Sequence, residues 1–301
     1  MSDELKNKTW PARIIPPVSA VVVLACLAVL PGCSGDRDPA SLFGPAERET
    51  VVVDAVLYVD RPLPAILVTR TRAANIAFVE EAAAVNDAEV TVIQGLSEYR
   101  YESVGHLGRY LPPPGAPVVR PKTEYRLRVR ALGQEVRGVT VTPDRIVIDE
   151  IAILEDTSMD VIRRLEPEST RRNQVVYREG LIEVRFDPVD VEAYQVVVLE
   201  EEPDDEGGSP PLEARDGRLL LPWFAIGSSG EHRVEVYALD RNLFDFLRSV
   251  EASGQNAFGF GSLAGDTFER PVFNLDGGIG VFGSASLDTF GFVVLPEDRS
   301  G

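Results

Sequence analysis

From Thr50 onward the chain is written in short runs in which apolar and polar residues alternate. "TVVVDAVLYVD" is rich in β-branched residues and stops at Arg61-Pro62, so it predicts a strand, and "AILVTRTR" predicts the next. In "AEVTVIQG" Val90 and Val92 alternate with polar neighbours until Gly95 closes the run. "EYRLRVRAL" alternates more cleanly still: Tyr125, Leu127, Val129 and Ala131 share one face, and Arg126, Arg128 and Arg130 the other. "GVTVTP" ends at Pro143. The one helical pattern in this half is "NIAFVEEAAAV", terminated by Asn86-Asp87.

The same period continues beyond Asp144. "RIVIDEIAI" predicts a strand, while "SMDVIRRLEPES" is polar and carries no clear period. "LIEVRFDPVDVEAYQVVVLEE" predicts two strands joined by a turn, with Phe186 and Tyr194 as aromatic anchors, and "HRVEVYALD" points Val234, Val236 and Ala238 inward. In that order "VRFDP", "AYQVVV" and "RVEVYALD" resemble strands B, C and F of a fibronectin type III module. Leu243, Phe246, Leu247 and Val250 then fall at helical spacing within Asn242–Ala252, one amphipathic helix. "PVFNLDGG", a glycine-rich loop and "TFGFVVL" close with more strand. Short strands without regular intervening helices predict an all-β fold, mainly an antiparallel β-sandwich. Two sandwich-like domains are expected, 50–143 and 144–296, the second fibronectin type III-like with its one helix.

The first 49 residues read differently. Lys6, Lys8 and Arg13 precede an uncharged stretch that is apolar from Val18 to Leu30, followed by "LPGC". A basic start, a short apolar run and a small residue before a cleavage point are the marks of an export signal, expected over 1–32. A transmembrane anchor would need about 20 apolar residues, longer than this run, which Pro16 and Pro17 precede. Leu30-Pro31-Gly32-Cys33 resembles a bacterial lipobox, which implies lipid attachment to Cys33; a free or buried thiol there is the alternative. Ser34 rather than Asp after the cysteine goes with passage to the outer membrane of a Gram-negative-type bacterium. Cys26 would leave with the signal, so a disulfide framework is not expected. Residues 33–49, small, polar and interrupted by proline, predict a tether.

The formal charge of −18 repels nucleic acid and anionic lipid heads, so neither is an expected partner, and the membrane link must be the lipid. Candidate chemistry is sparse. Gly278, Gly280 and Gly283 spell G-x-G-x-x-G, but "SASLDTFGFVVLP" after them has little helical pattern and leaves no room for a βαβ unit. The glycines are therefore read as structural, supplying positive φ and close backbone approach. His106 and His232 lie far apart, and neither G-x-S-x-G nor H-E-x-x-H occurs, so no catalytic residue, metal or cofactor is assigned. The acidic run Leu199–Pro211 is a solvated hairpin tip or, alternatively, a calcium site. Tyr99, Tyr101 and Tyr110, with Phe258 and Phe260 in "NAFGFGSL", are the candidate binding aromatics, against an ordinary packing role; Trp223-Phe224 reads as core.

"NLDGGIGVFGSAS" resembles the C-terminal signature of a bacterial lipoprotein family known as domain of unknown function 4249, with Asn274, Gly277, Gly278, Gly280 and Gly283 as its structural glycine loop. "VVDAVLYVDRPLPAILVTRT", "VNDAEVTV", "TEYRLRVRA", "VRFDPVDVEAYQVVV" and "LDRNLFDFLRSV" occur in that family's order and cover most of residues 50–295. "MDVIRRLEPESTRRNQ" and "EEPDDEGGSPP" depart from it. The resemblance implies a lipid-anchored, β-rich envelope protein without established activity, whose relatives are often encoded beside TonB-dependent receptors. The expected role is therefore non-catalytic, as accessory or partner to such a receptor in nutrient uptake. The alternative is a surface lipoprotein that binds glycans or peptides directly.

Overall fold

The last long strand organises the molecule. In the computed structural model, which describes residues 49–296 except 73–76, 78, 156, 168–172, 177–179, 201–206, 209–215, 222–228 and 253–270, Ile279–Leu295 is one 17-residue strand, β16. At about 3.3 Å per residue it runs roughly 55 Å. The first half of the chain supplies β1 (Val51–Tyr58), β2 (Ile66–Arg70), helix α1 (Glu80–Ala83), β3 (Glu89–Gln94), β4 (Ser97–Val104), β5 (Arg109–Leu111), β6 (Glu124–Ala131) and β7 (Gln134–Val141). The second half supplies β8 (Ile148–Leu154), β9 (Val161–Leu165), β10 (Gln174–Val176), β11 (Leu181–Phe186), β12 (Ala193–Glu200), β13 (Gly207–Gly208), β14 (Arg218–Leu221), β15 (Gly230–Leu239) and helix α2 (Arg241–Ala252). The described structure is mostly β and mainly antiparallel, as the alternation required; β1 and β10, which pair parallel with β16, are the exceptions.

Two cores form because each strand buries one face. In the first half, alternate residues Val51, Val53 and Leu57 of β1 and Tyr125, Leu127 and Val129 of β6 meet in one cluster, leaving the arginine face of β6 outside. The sheet β1-β2-β5 closes over β4-β3-β6-β7, and β4 belongs to both because it pairs with β3 at one end and β5 at the other. In the second half, β14-β11-β8-β9 packs against β13-β12-β15-β16 through Ile151, Ile182, Val184, Val196, Val234, Val236 and Phe292. Phe186 and Tyr194 meet at 4.6 Å between ring centroids, as anchors across this core. Strands β11, β12 and β15 are the segments matched to B, C and F, with C beside F and B in the facing sheet, the arrangement of a fibronectin type III sandwich. Full burial of each such Val, Leu or Phe side chain contributes about 1.5–3 kcal/mol, so a one-residue register slip would be ruinous.

The second core draws on residues from Ile146 onward, but the first takes in Phe282 from beyond that point, and Arg48–Gly301 is one compact unit. The reason is β16: its first half pairs with β1 and its second half with β15, so a single strand crosses the expected boundary. Three segments depart from the sequence expectation. The helix in "NIAFVEEAAAV" is only the four residues of α1 among the described ones. The unassigned "SMDVIRRLEPES" contains β9, an edge strand with four of five residues exposed, which leaves it no apolar alternation to read. The glycine-rich "loop" is a turn only at Gly277 and Gly278; Gly280 and Gly283 lie inside β16, which accepts them because both of its faces are crowded there.

Candidate functional site

The residues of the "NLDGGIGVFGSAS" signature come together at the junction of the two cores. Asn274 sets the start of β16: its Oδ1 accepts the Phe282 N–H at 2.9 Å and its Nδ2 donates to the Phe282 carbonyl at 2.8 Å. Asn242, on the first turn of α2, donates to the Val139 carbonyl at 2.8 Å and to the Phe282 carbonyl at 3.2 Å. Gly277 and Gly278 turn the chain tightly against Glu135 and Val136 of β7, where Asp276 and Arg137 exchange two backbone hydrogen bonds of 2.8 and 2.9 Å. Gly280 has φ +114, and a Cβ there would lie 2.1 Å from the Val53 carbonyl oxygen of β1. At Gly283 a Cβ would lie 2.9 Å from the Leu243 Cβ, so this glycine lets α2 lie directly on β16. The helix then covers Val281 and Ala285 with Leu243, Phe246 and Leu247.

The opposite face of β16 explains why the strand can serve two cores. Read at every second residue it is Phe282, Ser284, Ser286, Asp288, Phe290, Phe292 and Val294. Phe282 belongs to the first core; Phe290, Phe292 and Val294 belong to the second. The polar three in between hold the connection. Ser286 Oγ accepts the Ile146 N–H at 3.0 Å, and Asp288 Oδ2 accepts the Ile148 N–H at 2.7 Å. Ser284 reaches Asp240, the capping residue of α2: Asp240 Oδ1 accepts the N–H groups of Ser284 (2.9 Å) and Leu243 (3.0 Å). Its Oδ2 accepts the Thr140 hydroxyl at 2.6 Å, and Thr140 Oγ1 and Ser284 Oγ are 2.9 Å apart. Burial pushes the Asp240 carboxyl above the usual carboxylate range, and the bonds from Ser284, Thr140 and Leu243 offset part of that rise. Nearby, Arg145 in the connection grips Asp60 with two bonds of 2.5 and 2.7 Å. A fully satisfied polar network at such a place fixes one geometry.

The candidate binding aromatics are dispersed by the fold. Tyr110 is 1 % exposed, its hydroxyl donating to the Val85 carbonyl and accepting the Ala88 N–H, both at 2.8 Å. Tyr101 is likewise in the first core, and Tyr99 packs against it. This corrects the surface assignment of Tyr101 and Tyr110: Tyr101 lies opposite buried Val90 of β3, and Tyr110 opposite buried Ile66 of β2, so both rings turn inward. Phe258 and Phe260, like Cys33, Trp223-Phe224 and most of the acidic run Leu199–Pro211, lie outside the described residues. His232 stacks on Phe292 in the second core at 5.6 Å, while His106 is exposed in the β4–β5 turn. Among the described residues no group of three or more His, Cys, Asp or Glu side chains is placed to hold a metal. A cleft of about 300 Å³ between Gly95, Lys122 and Arg126 is lined by charges already paired, Lys122 with Asp144 and Arg126 with Glu124.

Sequence reasoning missed Asp240, Thr140, Ser284, Ser286 and Asp288, although period two along 282–294, apolar then polar then apolar, carries the signal. It also missed the half-buried pair Tyr58 and Tyr237, 6.1 Å apart beside α2, with the Tyr237 hydroxyl donating to Glu235.

A family described as "Domain of unknown function (DUF4249)" matches residues 38–290, and the chain belongs to that family. No curated protein matches it.

Proposed function

We propose that this member of the DUF4249 family is a non-catalytic, lipid-anchored protein of the outer membrane that works as the accessory partner of a TonB-dependent receptor in nutrient uptake. The export-signal pattern and the lipobox resemblance at Cys33 support the anchor. The observation that carries the role is the use made of the family signature. Asn274, Gly280, Gly283 and the network around Asp240 are consumed in joining two cores, where they shape a rigid two-part scaffold. Such a scaffold suits presentation of a surface to a partner better than turnover of a small molecule. A direct glycan- or peptide-binding role loses Tyr101 and Tyr110, which the first core has absorbed.

The test is purification of the tagged protein from detergent-solubilised envelopes, with identification of what accompanies it. A receptor present in stoichiometric amount, and lost together with membrane association in Cys33→Ala, supports the role. Protein that purifies alone, while Cys33→Ala is still released from the membrane, keeps the anchor and refutes the partner.

A further inference from the structure

We propose that the end of the first core at which β1 begins is a lipid-facing surface, whose hairpin tips rest among the headgroups of the bilayer that holds Cys33; this rests on the lipid-anchor reading above. Strand direction defines that end. Strands β1, β3, β5, β7 and β16 start there and β2, β4 and β6 finish there, by their pairings. Glu49 is at the same place: its carbonyl accepts a 2.6 Å bond from Gln134, the first residue of β7, and its carboxylate pairs with Arg70 at the end of β2. Glu49 is only sixteen residues after Cys33. A stretch of that length reaches at most about 55 Å, so this end is the part of the described structure tied nearest along the chain to the anchor.

The end carries exposed apolar side chains that the fold does not use. Val104 and Leu132 lie three residues beyond the row in which Val90 pairs with Tyr101 on one side and Val129 on the other. Both therefore stand at this end, on the strands either side of β3. Leu107, in the next turn, is 39 % exposed, as is Leu132. Leu132 is also strained. Leu132-Gly133 is a two-residue hairpin loop with φ +52 and +72, a conformation that favours Asn, Asp or Gly and disfavours leucine. A leucine held in that conformation at a hairpin tip is only partly covered by the fold, and a headgroup region would cover the rest. Arg70 pairs with Glu49 and Arg130 with Glu89 and Glu135, while the exposed Glu80, Glu81, Asp87 and Glu102 add acidic charge at this end, so the headgroups it meets are zwitterionic ones. Tethering makes even a weak contact effective, because the second contact is intramolecular.

The hairpin tip at Leu96, fully exposed but at the opposite end of the same strands, is the internal control. The full mature protein is reconstituted in vesicles of the zwitterionic lipids phosphatidylethanolamine and phosphatidylcholine. An environment-sensitive fluorophore is placed on Leu132→Cys, Leu107→Cys or Leu96→Cys. Because lipidation consumes the Cys33 thiol, unmodified protein should take no label, and it should float with the vesicles. Blue-shifted emission at 132 and 107, with several-fold stronger quenching by headgroup-brominated lipid than at 96, is the expected result. Equal, water-like emission at all three positions on floating protein overturns the proposal and leaves the anchor standing. Shielding at 132 without lipid quenching overturns it too, in favour of a protein cover or a second copy. Labelling of Cys33 in protein that does not float overturns the anchor and the surface together. Leu132→Asn should raise the thermal midpoint while abolishing the blue shift at 107; a lowered midpoint would remove the strain argument.

Discussion

Asn274 closes both backbone hydrogen bonds of Phe282, eight residues ahead of it, with bonds of 2.9 and 2.8 Å from one side-chain amide. The geometry is that of a strand neighbour made from a side chain. It satisfies β16 where no backbone partner can reach, and it seats the Phe282 ring, fully buried, in the first core.

Removal of that clamp leaves the Phe282 N–H without its acceptor, so Asn274→Ala should cost about 2 kcal/mol in urea unfolding. Asn274→Asp should cost more, because a carboxylate would then face the Phe282 carbonyl where the amide donates. Equal stability of all three proteins would show that the clamp is not a structural bond.

Asp240 should impose a pH dependence of definite sign. Its folded carboxyl titrates above the unfolded value because of burial, so the folded state binds the proton more tightly. Stability from this group should therefore rise as pH falls from neutrality toward the unfolded carboxylate range, and decline again as pH rises through the folded value. Asp240→Asn should fold well and lose this dependence, since its amide can donate to Thr140, Thr140 to Ser284, and Ser284 to the Val141 carbonyl at 3.3 Å. Asp240→Ala orphans the Ser284 and Leu243 N–H groups and should cost about 2–4 kcal/mol. The two variants are compared by denaturant titration at pH 4.5 and pH 7.

Two core tyrosines should respond oppositely to loss of the hydroxyl. The Tyr101 hydroxyl is buried without a hydrogen-bond partner among the described residues, so Tyr101→Phe should stabilise by about 1 kcal/mol. Tyr110→Phe deletes bonds to Val85 and Ala88 and should destabilise by about 1–2 kcal/mol. Thermal midpoints of the two variants check the pair.

Much of this architecture was legible in advance. β-branched content marked β1, period two marked β3, β6 and β15, a pair of apolar runs about a turn marked β11 and β12, and helical spacing marked α2 within one residue of its observed start; the alternation is cleanest in β6, where one face is buried and the other is not. Where that condition fails, the pattern is silent. β9 has almost nothing buried, and residues 280–286 of β16 have both faces buried, so neither alternates in the usual way. The role of the glycines was readable from chemistry, since no helix follows them. That β16 pairs with β1 was not, because the partner of a strand is set by contacts more than 200 residues apart in sequence. Tyr101 and Tyr110 were misplaced for a related reason: an aromatic beside a proline-rich run looks exposed until the strand that covers it is known.

The claim on which the rest depends is that the glycine signature is a joint between two cores rather than a ligand loop. Gly280→Ala tests it most directly. An alanine there meets the Val53 carbonyl at positive φ and should cost about 3 kcal/mol or more. Hydrogen exchange read by mass spectrometry would follow peptides from β3 and β6 in one core and from β12 and β15 in the other. Protection falling in both cores together is the predicted result. Unchanged protection in both, with only partner or ligand binding lost, would contradict it.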